Sequence, residues 1–381
     1  MTIDTSYQDQ FPFLFAGNAG TIRISASPNE EIPIKLRYIK TRYGSSGGSV
    51  VEYETSFTMK TGENGSVSLP LDSIVRCLQP ILWSVSSNAG SGQYRPKASS
   101  FLRITFGDGD DAVFWDKEIY PGTVGYDFLK DVYEQRCFLT ARPQIGLART
   151  DGQRDDLALS PDGTTVFAFL YFDIIAPVKT TVASGLRLKP ALVSVSYDNI
   201  RAIADETGYS GYELKAYDVW METEMTDDDG NVTSVMKSEV LRFIVPNHKV
   251  STFEFLSSVG AIEPIYAAGS KKSEVETETR TFVNDGVERE LTNDSRLVHE
   301  TFTGWLASAD EVRFWREFFS SAERYAVIDG VSREIIIDEI DSESTAGELN
   351  AFSFKWHYAD KYADPARTPV RKELKQYNPT I

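Results

Sequence analysis

The chain has 381 residues, of which 41% are hydrophobic and 25% charged, and its formal net charge at pH 7 is −17. This is the composition of a globular protein, and it excludes a largely disordered chain or a disulfide-stapled miniprotein. The length favours two or three domains, and the acidic balance argues against a general nucleic-acid-binding surface or an anionic-membrane surface.

In the first third of the chain, apolar and polar residues alternate with the period of two that is typical of β-strands. Two short helices interrupt it, Asp72–Leu82 with Asp72 as its N-cap, and Tyr126–Gln135. A hairpin turn is predicted at Gly107-Asp108-Gly109-Asp110. The predicted strands are Thr21–Ala26, Ile32–Arg42, Val50–Lys60, Val67–Leu71, Phe101–Phe106 and Ala112–Tyr120.

The same order of elements returns in the second third. The stretch Val193–Ile200 resembles Val67–Ile74, since in both a strand runs into a helix with an Asp cap. A hairpin follows, Tyr212–Met225 with Val232–Val245, and Phe253–Leu256 then matches Tyr126–Leu129, the start of the short aromatic helix in the first third. We interpret this order as a tandem duplication, in which residues 17–143 and 163–266 superpose and an exposed linker, residues 144–163, joins them. Chance similarity of two β domains is the alternative.

From about Ala267 a long hairpin is predicted. Lys271–Val283 alternates between charged residues and Val or Thr, a tight-turn signal follows at Asn284-Asp285-Gly286, and Val287–Thr303 returns. Ten paired residues span roughly 33 Å, which is long for a domain hairpin. We therefore expect part of it to project or to pair with another subunit.

The clearest predicted helix, residues 308–320, begins with a capping box, Ser308 as the cap and Glu311 three residues later. Its apolar residues Val312, Trp315, Phe318 and Phe319 share one face. Strands follow at Tyr325–Ile328, Arg333–Ile340 and Ala351–Tyr358. The tail from Asp364 contains three Pro and an excess of Lys and Arg, which predicts an extended arm.

No pattern of a catalytic or metal site stands out. The three His and two Cys are scattered, which argues against zinc and iron–sulfur sites, and phosphate-binding and nucleophile motifs are missing. We expect no enzyme activity, no cofactor and no bound metal. The segment Asp227–Asn231 resembles the start of a calcium loop but lacks the Glu at its twelfth position, so a hairpin turn is the favoured interpretation.

The six tryptophans are spread over all predicted domains, and their patterns favour core packing over stacking on sugars. The first residues lack a secretory signal, and no apolar run is long enough for a membrane helix. We expect synthesis in a cytoplasm and no membrane partner.

Four short motifs carry a family resemblance. They are Phe138-Leu139-Thr140-Ala141-Arg142-Pro143-Gln144, the stretch Phe253–Pro264, Tyr325–Gly330, and Phe352–Trp356. Together they resemble elements of uncharacterised tail and baseplate-type virion proteins of phages and prophages of Bacteroides-like bacteria. The resemblance covers about 120 residues at the C-terminus, and the N-terminal domains loosely.

The resemblance implies a non-catalytic structural component of a tail, adaptor or baseplate ring, located in the virion. Its partners would be copies of itself and neighbouring tail proteins. The strand pattern predicts a mainly β fold, with two tandem β-sandwich-like domains (1–145 and 146–266), a C-terminal β module (267–362) with the flanking helix, and an extended arm (363–381). The resemblance implies that the C-terminal module is tail-tube-like. A carbohydrate- or receptor-binding protein built from tandem β-sandwiches is the alternative.

The long hairpin and the arm are the predicted subunit interface. The hairpin offers a row of charged residues and apolar residues near its turn, and the arm offers arginines. The candidate interface residues are Glu274, Glu276, Glu278, Arg280, Phe282, Val287, Arg289, Leu291, Arg367 and Arg371.

Overall fold

The computed structural model describes residues 1–11, 13–42, 49–75, 95–96, 100–120, 122–125, 128–130, 138–152, 155–159, 164–184, 191–226, 229–284, 286–343 and 350–360. These residues form a mainly β fold with several sheets, as the sequence predicts. The strands, in chain order, are β1 Thr2–Asp4, β2 Leu14–Phe15, β3 Thr21–Ser25, β4 Glu31–Arg42, β5 Ser49–Lys60, β6 Ser66–Pro70, β7 Arg95–Pro96, β8 Ser100–Phe106, β9 Val113–Tyr120, β10 Phe138–Leu139, β11 Ile145–Leu147, β12 Asp156–Leu159, β13 Thr165–Phe172, β14 Val178–Ala183, β15 Ala191–Ser194, β16 Leu214–Thr226, β17 Val232–Met236, β18 Leu241–Ile244, β19 Ser251–Leu256, β20 Ile262–Ala267, β21 Lys271–Asn284, β22 Val287–Phe302, β23 Arg324–Ile328, β24 Val331–Glu343 and β25 Ala351–Tyr358.

The helices are α1 Ser6–Asp9, α2 Tyr197–Glu206 and α3 Ala309–Ser320, and 3-10 turns lie at Ala16–Asn18 and Gly109–Asp111. Residues 71–75 and 128–130 are also helical. The remainder of the two predicted short helices, residues 76–82, 126–127 and 131–135, lies outside the described residues, as does the arm 363–381.

The chain divides into two compact units. The first comprises Met1–Asn247 and Leu256–Glu263, and the second comprises His248–Phe255 and Pro264–Ile381. The finer domain boundaries at residues 145, 266 and 362 stay predictions.

Strand pairing repeats within the first unit. One set has a sheet β1–β3–β6 beside a sheet β2–β9–β8–β4–β5, and the other has β10–β12–β15–β7 beside β11–β18–β16–β13–β14, with β17 paired to β16. The pairs β2–β9 and β11–β18 are both parallel, whereas their neighbours are antiparallel. The first set spans residues 2–120 and the second spans 138–244, apart from β7. This shared order supports the duplication hypothesis, and superposition of the two copies stays a prediction.

Each set encloses its own apolar core, because alternate residues of its strands point inward. Ile34, Leu36 and Tyr38 of β4 are buried in the first core. In the second core, Val166, Ala168, Leu170 and Phe172 of β13 are buried in the same alternation.

The prediction of an exposed linker at residues 144–163 is wrong. This segment contains β11 and β12, and Arg149, Asp155 and Leu157 are buried. Two of its charged side chains are paired, Asp155 with Arg142 and Arg149 with Asp151, and β11 is held by parallel pairing with β18.

The prediction of a short helix at Phe253–Leu256 is also wrong. These residues belong to β19, which pairs with β23, and Phe253 and Phe255 are both buried. Two buried aromatics separated by one residue fit a strand better than a helix, since i and i+2 share a face only in a strand.

The predicted Asp caps lie within the first turn of their helices and not at the N-cap. The N-cap of α2 is Ser196, whose side chain accepts a hydrogen bond from the Asn199 amide, and Asp198 is in the first turn. Asp72 likewise falls within the helical residues 71–75. An acidic residue in the first turn still favours the positive end of the helix dipole.

The second unit has a seven-stranded sheet, ordered β20–β19–β23–β24–β25–β22–β21. Helix α3 packs its aromatic face on this sheet, with Phe318 5.6 Å from Phe253 and Trp315 5.8 Å from Phe354 between ring centroids. The predicted capping box is confirmed in part. The Glu311 amide donates to Ser308, while the Glu311 carboxylate accepts from the Ala307 amide, one residue before the cap.

Candidate assembly surface

The strands β21 and β22 form a two-stranded ribbon that continues past their sheet. They pair from Lys271 with Thr301 to Asn284 with Val287, whereas β22 pairs with β25 only over His299–Phe302. From Val287 to Ser295, β21 is the only described strand that pairs with β22. The eight β21 residues opposite it, Thr277–Asn284, extend about 26 Å at 3.3 Å per residue. The predicted projection of the long hairpin is therefore present.

Polar contacts stiffen the base of the ribbon. The Arg296 guanidinium lies 2.9 Å from Glu276 across the ribbon and 3.5 Å from Asp338 of β24. Below it, Ser273 and the Nδ1 atom of His299 are 2.7 Å apart, and the His299 ring packs 4.2 Å from the ring of Trp356. These contacts connect the ribbon to the core of the second unit.

A β-bulge lies between base and tip. Arg280 is opposite Thr292 and Thr281 is opposite Glu290, so Leu291 is the extra residue on β22. A bulge bends a strand pair and increases its twist, so the tip is re-aimed relative to the base.

The ribbon tip, residues Thr281–Arg289, exposes apolar side chains on both faces. Phe282 is 41% exposed, Val287 55% and Val283 70%. Gly286 closes the turn at φ +77°, a conformation that suits glycine. Exposed apolar residues on a strand pair that projects from its sheet are typical of a contact with another protein.

The structure brings most of the predicted interface residues onto this ribbon. Glu274 and Glu276 are exposed near its base, and Phe282 and Val287 are exposed at its tip. Glu278, Arg280, Arg289 and Leu291 take ribbon positions by register. Arg367 and Arg371 lie outside the described residues.

Other exposed apolar residues were not predicted from the sequence. Val275 and Val283 point away from the predicted charged row and are also exposed. The hairpin β16–β17 exposes a second set, Met225, Val232, Val235 and Met236. Two Met and two Val in a segment otherwise rich in Thr, Ser and acidic residues were the available signal.

A buried ionic cluster inside the first unit joins three separate stretches of chain. Glu263 accepts hydrogen bonds from the Ser257 hydroxyl (2.7 Å), the Thr140 hydroxyl (2.5 Å) and the Ala141 amide (3.0 Å). Arg142 bridges Glu263 and Asp155, at 3.3 Å and 2.5 Å. Because each carboxylate is bound by protein donors, the cluster fits a structural role.

The described residues hold no group of three or more His, Cys, Asp or Glu placed to bind a metal. Asp227 and Asp228 of the calcium-like segment lie outside those residues, and Gly230 has the positive φ of a turn. His357 lies 2.8 Å from Asp338 on the sheet. Across the described part of the chain, no helix is long and apolar enough to cross a membrane.

The tryptophans do not form a platform for sugars in the described regions. Trp115, Trp220, Trp315 and Trp356 are buried, as their patterns predicted. Trp305 is exposed and packs edge-on against Phe302 at 5.8 Å, while Trp83 lies outside the described residues.

No protein-family model matches the chain, and no curated protein matches it. Among solved structures it is similar to a chain of the virion of a native gene transfer agent particle. The two share 14% identity over 30% of this chain and 95% of that chain, with a TM-score of 0.21. This TM-score is too low to support an inference about fold or function.

Proposed function

We propose that this protein is a non-catalytic structural component of a phage or phage-like tail, and that the β21–β22 ribbon makes its subunit contacts. It would sit in a tail, adaptor or baseplate ring, among copies of itself and neighbouring tail proteins. The observation that carries the proposal is the projection of the ribbon, with Phe282, Val283 and Val287 exposed at its tip.

Two further features support this proposal. A two-stranded ribbon is marginally stable alone in water, so a partner that covers the tip would stabilise it. The net charge of −17 also suits a ring around a DNA passage, because an acidic lining does not retain the DNA polyanion. The resemblance of the short motifs to tail-associated proteins supports the same proposal.

The proposal is tested by replacing the tip Thr281–Arg289 with a two-residue Asn-Gly turn. Light scattering of the intact chain should give a multiple of the monomer mass, and the shortened chain should give the monomer mass. The ribbon base, the sheet and α3 should stay folded, because their contacts do not involve the tip. Phe114→Asp, at an exposed apolar residue of the first unit, is the matched control and should assemble normally. Normal assembly of the shortened chain would contradict the proposal.

A further inference from the structure

The seven-stranded sheet of the second unit has two faces, and helix α3 packs on one of them. Phe354 points to the α3 side, where it packs against the aromatic residues of that helix. Ser353 and Lys355 flank Phe354 on β25 and therefore point to the opposite face, which we call the outer face. Asp341 of β24 is opposite Ser353, and Glu300 of β22 is opposite Lys355, so these two carboxylates also lie on the outer face.

A groove of about 440 Å³ lies on the outer face, where β24, β25, β22 and β21 are neighbours. Its lining combines the apolar Phe302 and Ala351 with the charged Lys272, Glu300 and Asp341. Ala351 is buried, whereas Lys272 and Asp341 are exposed. The groove therefore has an apolar floor and a charged rim, which suits a peptide segment that offers both kinds of side chain.

Carboxylates outnumber basic residues on the outer face. Lys355 pairs with Glu339 at 2.9 Å, and its pKa is raised first by Glu339 and further by two nearby carboxylates, Glu274 and Glu300. In the part of the chain that the structure describes, three carboxylates of this face have no ion-pair partner, those of Glu274, Glu300 and Asp341. Against them the groove lining offers Lys272. The outer face therefore has an excess of negative charge that favours a basic segment.

The arm, residues 363–381, is such a segment. Its basic residues outnumber its acidic residues, Asp364 and Glu373, by four to two, and they are Arg367, Arg371, Lys372 and Lys375. This excess is notable in a chain whose net charge is −17. Pro365 and Pro369 favour an extended conformation, which leaves the side chains of the arm available for contacts.

The arm is long enough to reach the groove of its own sheet. Asp360, the last residue that the structure describes, lies seven residues after Ser353, or about 23 Å along the chain at 3.3 Å per residue. Arg367 follows Asp360 by seven residues and Arg371 by eleven, so a chain that turns back after Asp360 extends up to about 23 Å at Arg367 and about 36 Å at Arg371. A segment tethered this closely has an effective concentration of about a millimolar, which exceeds the concentration of other copies in dilute solution.

We propose that the arm turns back and covers the outer face of its own sheet. Arg367 and Arg371 then lie beside the carboxylates of the groove, and Val370, between them, covers its apolar floor. Because these ion pairs form at the surface, docking of the arm is reversible and weakens as the salt concentration rises. This inference goes beyond the proposed function and does not depend on it, because the ribbon tip is not part of the groove.

Chemical labelling of carboxylates tests the inference. The full chain is treated with a carbodiimide and glycine ethyl ester, and the labelling rate of Asp341 is measured by peptide mass spectrometry. Deletion of residues 363–381 should raise that rate severalfold, because the arm no longer covers the groove. Reversal of the arm charges, Arg367→Glu with Arg371→Glu, should raise it in the same way.

Two controls separate uncovering of the groove from other effects. Lys60→Glu with Lys215→Glu changes the net charge by the same amount at two exposed residues of the first unit, and should leave the labelling rate of Asp341 unchanged. Glu63, an exposed turn residue of the first unit, is the internal reference. Its labelling rate should be the same in all variants, which establishes that the substitutions do not unfold the chain.

Protection of Asp341 that does not depend on protein concentration is the expected result, because the arm and the face belong to one chain. Equal labelling with and without the arm would overturn the inference, and so would protection that survives reversal of the arm charges. Protection that appears only where the chain assembles would also overturn it, because it would assign the arm to a neighbouring copy. The chain with the shortened ribbon tip should keep the protection, so the failure of either proposal can be told from the failure of the other.

Discussion

Glu263 shows how two of the short sequence motifs meet in space. The motif Phe138–Gln144 supplies Thr140, Ala141 and Arg142, and the motif Phe253–Pro264 supplies Ser257 and Glu263. Both motifs carry the family resemblance, but the sequence does not indicate that they are in contact. Their contact could not be predicted, because the partners are separated by more than a hundred residues and one carboxylate among many is not distinctive.

Glu263→Ala should strongly destabilise the first unit, because it leaves the Ser257 and Thr140 hydroxyls and the Ala141 amide without this acceptor, whereas Arg142 keeps its pair with Asp155. Each buried donor left unsatisfied costs about 1–3 kcal/mol, so three of them cost at least about 3 kcal/mol. For a unit of this size that lowers the thermal midpoint by roughly 6 °C or more. Scanning calorimetry should show the shift, while Glu63→Ala, at an exposed turn residue, should leave the midpoint nearly unchanged. A small shift for Glu263→Ala would mean that the cluster relaxes or admits water.

Asp218 gives the first unit a pH-dependent contribution to stability. Burial raises the pKa of Asp218, but hydrogen bonds from Arg242 (2.7 Å) and Tyr171 (2.7 Å) outweigh it and lower the pKa below the ordinary 3.8. A lowered folded-state pKa means that the ionised carboxylate stabilises the fold. This contribution is complete above pH 3.8 and is lost as the pH falls through the folded-state pKa.

Asp218→Asn should therefore lower the urea midpoint at pH 7, and its difference from the wild type should shrink as the pH falls below 3.8. The matched control is Asp116→Asn, which removes an exposed pair with Arg103. Exposed pairs contribute only about 0–1 kcal/mol, so the control should change little. A difference for Asp218→Asn that is constant across the pH range would contradict this assignment.

At the scale of elements, alternation of apolar and polar residues predicted most strands well. The strands predicted at Ile32–Arg42 and Ala351–Tyr358 are observed at Glu31–Arg42 and Ala351–Tyr358. Short elements were less predictable. The three residues of β11 are too few to show a period, and their strand is defined by a partner almost a hundred residues away, β18.

The ribbon was predictable because its period and turn are local properties. The alternating run Lys271–Val283, the Asn-Asp-Gly turn and a second alternating run determine a hairpin whatever surrounds it. The length of the part that projects is not determined by the local sequence, because it depends on where pairing between β22 and β25 stops. The apolar residues of β16–β17 were missed for a related reason, since their exposure depends on where pairing between β16 and β13 ends.

At the scale of the whole molecule, the sequence predicted a mainly β chain of several sheets and an assembly role for its long hairpin. The two sets of strands in the first unit share one pairing order, and each set encloses its own core. The net charge of −17 disfavours random association between copies. We propose that assembly depends on specific contacts, and that the exposed apolar tip is one of them.

The most direct test of that assignment replaces Val283 by a photo-reactive residue in the full chain. Val283 is exposed at the ribbon tip, so irradiation of the assembled protein should yield covalent dimers linked through this position. The same residue placed at Ile174 should yield few. Abundant dimers at position 283 are the predicted result. Absence of dimers there, or equal yields at the two positions, would contradict the claim that the ribbon tip contacts the neighbouring subunit.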